Sequence, residues 1–235
     1  MHFIPYLSTL VTFAFTAAVF RRYLLRRGPH LLLWSIGLLA YGLGTLSEII
    51  LGLTFSAPIV KLWYLAGAML SAAWLGQGTF HLLVRRRGVA WTATGILAAV
   101  SALAAVLIAV APVSGASYRV SQPISSQYQA VLARGGLVIA LTILLNVYGS
   151  ITMVGGALYS AFIFWRKRIL FNRMIGNILI AAGALAPAIG GSFVRAGLPD
   201  YLYLTELVGA VLMYIGFVQA TMTVPAPSAA PVPSH

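Results

Sequence analysis

Apolar segments about as long as a lipid bilayer is thick recur along the whole chain. A helix needs roughly 20 apolar residues to cross a hydrocarbon core of about 30 Å. Because 60% of the 235 residues are hydrophobic and 8% are charged, a water-soluble domain could not bury this much apolar surface. The segments are continuously apolar, whereas barrel strands alternate, so helices are the spanning elements. The sequence therefore predicts an all-α integral membrane protein.

Turn residues and basic clusters divide this apolar sequence into seven predicted transmembrane helices. They cover residues 3–20, 31–55, 59–83, 89–111, 135–165, 174–194 and 201–223. Residues 112–134 form the longest polar connection, and loops of this length usually cover another part of the protein or are mobile. Residues 224–235 are rich in Pro and Ala and are expected to be disordered. Residues 1–223 are thus predicted to form a single membrane domain.

Basic residues are concentrated in alternate connections between the predicted helices. Those after the first, third and fifth helices contain Arg21, Arg22, Arg26, Arg27, Arg85, Arg86, Arg87, Arg166, Lys167, Arg168 and Arg173. The positive-inside rule places these clusters in the cytoplasm, with the amino terminus outside and the carboxyl terminus inside. Anionic lipid headgroups are their expected partners. The net charge of +12 therefore indicates topology, and no nucleic-acid partner is predicted.

Residues 37–79 and 183–221 look like two copies of one helical hairpin. The matching positions are Arg21, Arg22, Arg27, Gly37, Gly67, Gln77 and Thr79 in the first half and Lys167, Arg168, Arg173, Gly183, Gly209, Gln219 and Thr221 in the second. The spacing is identical up to the first glycine of each copy, and the connection in the second copy is then four residues shorter.

This duplication predicts a parallel 3+1+3 repeat about an axis along the membrane normal. Residues 1–88 would form the first three-helix repeat and residues 135–223 the second. Residues 89–111 would form the linker helix, and residues 112–134 an extracytoplasmic loop. Because a single helix separates the halves, both have the same orientation in the membrane.

The chain contains only three acidic residues, Glu48, Asp200 and Glu206. Glu48 and Glu206 fall within predicted spans near their outer ends, where an ionisable group costs several kcal/mol unless it is paired or hydrated. Lys61 opens the third predicted helix across a short loop from Glu48, so an ion pair that closes this hairpin is a purely structural interpretation. A ligand-binding role is the alternative.

A face of small residues runs inward from Tyr64 in the third predicted helix, and another from Glu206 in the seventh. Such faces usually mark close helix contact. Alternatively, both faces line an outward cavity between the halves, with Glu206, Tyr64 and Glu48 at its mouth. Interhelical hydrogen bonding is the expected role of the polar residues Gln77, Gln219 and Asn146. The candidate ligand-binding residues are Glu206, Glu48, Tyr64, Lys61, Gln77, Gln219 and Asn146.

The residue inventory argues against an enzyme, a cofactor site or a metal site. The chain has no cysteine, which excludes disulfides, thiol nucleophiles and cysteine ligands. His81 has no second buried histidine with which to bind haem or a metal. The sequence also contains no phosphate-binding loop and no catalytic triad. We therefore expect a non-enzymatic protein.

Two resemblances to known families add expectations. The 3+1+3 arrangement is similar to that of the SWEET and PQ-loop transporters, which implies transport of a small solute. Six residues resemble the seven-helix amino-terminal sensor region of bacterial membrane histidine kinases: Trp34, Glu48, Lys61, Trp63, Tyr64 and Gly67. This second resemblance implies a ligand-sensing membrane module that signals through a partner protein.

The leading hypothesis is a non-enzymatic multi-pass protein of the bacterial inner membrane. It would bind a small or lipid-like ligand from the outer side, or serve as an accessory subunit with a protein partner or a second copy of itself. The first alternative is a small SWEET-like solute transporter that is proton-coupled through Glu206. The second is a structural subunit without a ligand.

The predicted topology is testable with epitope tags. A tag at the amino terminus is expected to react with antibody on cells whose cytoplasmic membrane is intact. A tag at the carboxyl terminus should react only after that membrane is permeabilised, because an odd number of spans separates the two. Labelling of both tags on the same side would contradict the prediction.

Overall fold

A computed structural model describes residues 3–84, 86–120, 122–168, 170–198 and 200–221. Seven helices in this part of the chain are long and apolar enough to cross a membrane, which confirms the predicted all-α, multi-pass class. The helices are α1 Ile4–Arg26, α2 Pro29–Leu53, α3 Ala57–Leu83, α4 Arg87–Val110, the short α5 Ile124–Val131, α6 Gly136–Lys167, α7 Phe171–Arg195 and α8 Asp200–Thr221. The predicted tail, 224–235, lies outside the described residues.

Helices α1, α2, α3, α6, α7 and α8 pack in that order into a closed ring, because α8 returns to α1. Helix α4 lies outside the ring and packs on α3 and α6. Its buried residues are Ala90, Leu97, Ala104 and Ile108, spaced seven, seven and four positions apart along one helical face. Most of its remaining surface is exposed and apolar, as expected of a helix that faces lipid.

Glycines allow the ring helices to approach closely. A Cβ atom on Gly149 of α6 would lie 2.3 Å from the backbone of Ala72 in α3. A Cβ on Gly44 of α2 would lie 2.7 Å from the Cα of Gly67 in α3. Similar contacts join α7 and α8, where Gly183 faces the backbone of Gly209 and Gly176 faces that of Gly216. Small residues thus provide close helix contact, as the first interpretation of these faces predicted.

Both α3 and α6 contain a π-helical segment, Trp63–Leu70 in α3 and Ile151–Gly155 in α6. Such segments disturb the regular backbone ladder and often occur at functional sites. At the end of the first segment, side chains donate hydrogen bonds to backbone carbonyl oxygens. Asn146 Nδ2 of α6 donates to the carbonyl oxygen of Ala68 at 2.7 Å, and Ser71 Oγ donates to that of Gly67 at 2.7 Å.

The predicted polar connection folds over one end of the ring. Gln127 of α5 accepts a hydrogen bond from the backbone N–H of Arg119 at 2.8 Å and donates to its carbonyl oxygen at 2.9 Å. Tyr118 donates its hydroxyl proton to the carbonyl oxygen of Leu51 in α2, and burial raises the pKa of the Tyr118 hydroxyl. The 112–134 connection therefore covers the end of α2 and α3.

The contact at Gly149 yields a stability prediction. Gly149→Ala should destabilise the protein by about 1–3 kcal/mol, because its Cβ would overlap the α3 backbone. The control is Gly95→Ala in α4, which meets no atom within 4 Å and should stabilise by about 0.5–1 kcal/mol through better helix propensity. Thermal unfolding in detergent measures both changes. Equal unfolding temperatures for the two variants would mean that α3 and α6 do not touch at Gly149.

Candidate functional site

A cavity of about 300 Å³ lies inside the ring, lined by α2, α3, α6, α7 and α8. Its volume is near the lower end of the range for small-ligand pockets, about 300–1,000 Å³. Its acidic lining residues are Glu48 of α2 and Glu206 of α8. No lysine, arginine or histidine of the described chain lines it. Among the described residues, the carboxyl groups of Glu48 and Glu206 are therefore the charged-type side chains of a lining that is otherwise mostly apolar.

Glu48 and Glu206 bring their carboxyl groups within hydrogen-bonding distance of each other. Glu48 is 6% exposed, and its Oε1 accepts a hydrogen bond from Trp63 Nε1 of α3 at 2.9 Å. The Oε2 atom of each glutamate has no donor within the described part of the chain. A hydrogen bond between two carboxyl groups requires a proton on one of them. The pair therefore holds at least one proton and carries at most one negative charge when it is bonded in this way.

Two aromatic side chains position this acidic pair. The Tyr41 hydroxyl of α2 donates to the backbone carbonyl oxygen of Glu206 at 3.0 Å, which fixes α8 against α2. Trp63 begins the π-helical segment of α3, and its ring packs on that of Tyr128 in the covering loop, with centroids 5.6 Å apart. The pair is thus linked to the loop through one indole ring.

Tyr41 and Trp63 are not among the site residues predicted from the sequence. A signal for Tyr41 was present, because it precedes Glu48 by seven residues and two helical turns place both on one face. In the sequence, Trp63 is indicated only by the resemblance to the sensor regions of membrane histidine kinases. The sequence instead predicts an ion pair between Lys61 and Glu48, because the two side chains have opposite charges.

The expected ion pair between Glu48 and Lys61 is wrong. Lys61 Nζ donates to the carbonyl oxygen of Ala109 in α4 at 2.6 Å, while Glu48 accepts its hydrogen bond from Trp63. The rotation of α3 explains the difference. Two residues along a helix correspond to about 200°, so Lys61 points outward toward α4 when Trp63 points inward.

The other candidate residues are divided between the cavity and its surroundings. Asn146 lines the cavity. Tyr64 does not line it, since its hydroxyl lies 3.1 Å from Thr142 Oγ1 of α6. Its ring also lies under the guanidinium of Arg134, 5.7 Å from the ring centroid. The predicted position of Tyr64 at the mouth of the cavity is therefore not observed.

The two glutamines predicted as a symmetric pair differ in their contacts. Gln77 is fully buried, donates to Thr94 Oγ1 of α4 at 2.8 Å and accepts from the hydroxyl of Tyr148 in α6. It therefore makes the interhelical bonds expected of it, as does Asn146 with Ala68. Gln219 is half-buried and forms no hydrogen bond with any other described residue. Neither glutamine lines the cavity.

The cavity is closed toward the arginine-rich end of the ring. Leu75, Met153 and Met213 form its floor, and each is less than 8% exposed. Below this floor lies a void of about 20 Å³ whose lining includes Phe15 and Phe217. Because so small a void holds little more than one water molecule, the ring has no continuous passage in this structure.

The cavity opens sideways between α6 and α7. The first half of α6, Gly136–Ser150, packs on α3, whereas α7 packs on the second half of α6. Ser150 of α6 and Ala188 of α7 both line the cavity and are exposed. Ile189 beside them is 53% exposed, so the opening is bordered by apolar surface of the kind that faces lipid.

The donor set does not favour a metal ion. The described residues contain no group of three or more His, Asp or Glu side chains that could hold one. Calcium takes six to eight oxygen ligands and magnesium demands a near-octahedral set. Two carboxyl groups, one of them already bonded to Trp63, supply a small part of either.

Comparison with protein-family models, curated proteins and solved structures finds no match for this chain. Its function is therefore inferred from its own residues and their geometry.

The acidic pair yields a second prediction about stability. Glu206→Gln should keep or raise the unfolding temperature, because the amide N–H donates to Glu48 without a shared proton. Trp63→Phe should cost about 1–3 kcal/mol, because it leaves the buried Glu48 Oε1 without its donor. Trp165→Phe is the control, since Trp165 is 65% exposed. Circular dichroism during heating measures all three, and a loss for Glu206→Gln as large as that for Trp63→Phe would contradict the shared proton.

Proposed function

We propose that this chain is a non-enzymatic, multi-pass membrane protein that binds a small or lipid-like ligand in the cavity between α2, α3, α6, α7 and α8. The observation that carries the proposal is the acidic pair, Glu48 and Glu206, which lines a cavity of ligand size with no basic residue among its described lining. Ionisable groups at membrane depth are costly and usually have a functional role. A purely structural pair would be expected to meet a basic partner instead.

The sideways opening supports a lipid-like ligand. An amphiphile dissolved in the bilayer could pass between Ser150 and Ala188 without leaving the membrane. The apolar lining would receive its hydrocarbon part, and the acidic pair would receive its polar part. A water-soluble ligand would have to pass the loop that covers the end of α2 and α3.

The proposed location is the bacterial inner membrane, with the arginine-rich end in the cytoplasm. The acidic pair then lies in the outer half of the membrane. The proposed duplication relates α1 to α3 with α6 to α8, and each of these triplets occupies one continuous half of the ring. The exposed α4 is the surface that we propose for a protein partner or a second copy, as expected of an accessory or sensor-like subunit.

A proton-coupled carrier is the second candidate. Two observations favour it: the acidic pair, whose mutual hydrogen bond requires a proton, and the floor of Leu75, Met153 and Met213, which would act as a gate. Pro187 of α7 lines the cavity and interrupts the helical hydrogen bonds, so a hinge there could open the floor. A carrier needs this second state, whereas a binding protein does not.

Native mass spectrometry of gently solubilised protein tests the binding proposal. The wild type is expected to retain a lipid-sized adduct. Ala188→Phe should reduce its occupancy severalfold, because the new ring blocks the opening. Ala182→Phe is the matched control, since Ala182 is also exposed on α7 but does not line the cavity. Equal adduct occupancy in both variants, or no adduct in the wild type, would count against the proposal.

Flux into proteoliposomes separates the two candidates. Uptake of a solute that Glu206→Gln abolishes would favour the carrier. Ligand-dependent thermal stabilisation without flux would favour the binding protein. Neither binding nor flux, together with a protein that co-purifies in fixed ratio, would favour a structural subunit.

A further inference from the structure

Within the described part of the chain, no basic side chain lines the cavity that contains the acidic pair. Lys61 Nζ is directed to the carbonyl oxygen of Ala109, away from Glu48. The guanidinium of Arg134 lies over the ring of Tyr128, 4.6 Å from its centroid. Neither basic residue lines the cavity. The described lining of the cavity therefore offers no basic side chain that could balance a negative charge on the pair.

Several acceptor atoms at the cavity are also free of donors. The Oε2 atoms of Glu48 and Glu206 are buried and have no hydrogen-bond partner within the described chain. Asn146 uses its Nδ2 for the carbonyl oxygens of Ala68 and Thr142, which leaves its Oδ1 as an acceptor on the same cavity. Glu48 is more than nine-tenths buried, so water competes poorly for these atoms.

We propose that the ligand is an amphiphilic primary amine, a class that rests on the proposed function and makes it specific. A protonated primary amine carries one positive charge and three N–H donors. It would donate to the free oxygens of Glu48 and Glu206, and the pair would keep its shared proton, so the complex is neutral. The apolar body would lie against Leu75, Val154 and Leu202, which line the cavity beyond the pair.

Other ligand classes fit these atoms less well. A carboxylate or phosphate head would be repelled by the charged pair, and a neutral alcohol would leave that charge unbalanced. A quaternary ammonium has the charge but no N–H donor for the Oε2 atoms. The amine can come from an ethanolamine-type lipid that enters between α6 and α7, or from a free amphiphilic amine; both present the same group to the pair.

The test uses octylamine, octanol and octanoate as probes of one chain length. Each is titrated into protein in phosphatidylcholine nanodiscs, whose lipid contains no primary amine, and empty nanodiscs correct for partitioning and for binding to the scaffold. Octylamine is expected to bind at least about tenfold more tightly than octanol, equivalent to about 1.4 kcal/mol. Octanoate should bind most weakly. The double variant Glu48→Gln/Glu206→Gln should lose the preference for the amine and keep the affinity for octanol.

The control variant is Asp200→Asn, which removes the remaining acidic residue and leaves the pair intact; it should keep the full preference for octylamine. If the double variant fails to fold, the test instead compares the binding of octyltrimethylammonium and octylamine to the wild type. Loss of the N–H donors should then weaken binding severalfold relative to octylamine. Equal binding of these two cations would overturn the role of the amine hydrogens.

The outcomes separate this inference from the proposed function. If octanol binds as tightly as octylamine and Ala188→Phe blocks both, the cavity binds ligands but the amine proposal is wrong. If no probe binds, both are wrong. Adding phosphatidylethanolamine to the nanodiscs identifies the source once the preference is established. Competition with octylamine would indicate the bilayer lipid, and unchanged affinity would indicate a free amine.

Discussion

The structure depends on one constraint: a polar group inside a bilayer has no water with which to form hydrogen bonds. Most polar side chains of the bundle meet this constraint within the ring. Gln77 joins α3 to both α4 and α6, and Asn146 joins α6 to the carbonyl oxygen at the end of the first π-helical segment. Against this background, the Oε2 atoms of Glu48 and Glu206 stand out, because they have no partner among the described residues and belong to side chains that line a cavity of ligand size. The same constraint therefore holds the bundle together and identifies its candidate site.

Helix contact and cavity arise from the same packing. The glycine contact at Gly149 draws the middle of α6 onto the backbone of α3. The first half of α6 packs on α3 and its second half packs on α7, and the cavity opens between Ser150 of α6 and Ala188 of α7. The π-helical segments of α3 and α6 contribute lining residues at the same level. The close contact at Gly149 and the opening at Ser150 are thus adjacent along α6.

The two proposed functions, ligand binding and transport, use the same cavity. They differ in whether the floor of this cavity must open. Leu75, Met153 and Met213 close the cavity toward the arginine-rich end. Below them lies the small void whose lining includes aromatic side chains. Methionine side chains adapt readily to new packing, so this floor could reorganise without a large rearrangement of the helices. A ligand can only shift such an equilibrium by its difference in affinity for the two states. A bound cation at the acidic pair would change the charge directly above the floor, which gives either protein a means of coupling occupancy to packing.

The sequence by itself determined the class, the number of spans and their positions, because bilayer thickness imposes a length on every apolar segment. The third span was predicted at 59–83 and is observed at Ala57–Leu83. The sequence also identified Glu48 and Glu206 as candidate site residues, since acidic residues at membrane depth are rare. Only the tertiary structure decided their partners. Trp63 and Lys61 are two residues apart, and the rotation of α3 about its axis places one beside Glu48 and the other beside α4. That rotation is set by contacts such as Gly44 with Gly67, which join residues distant in sequence and are not visible in any local pattern.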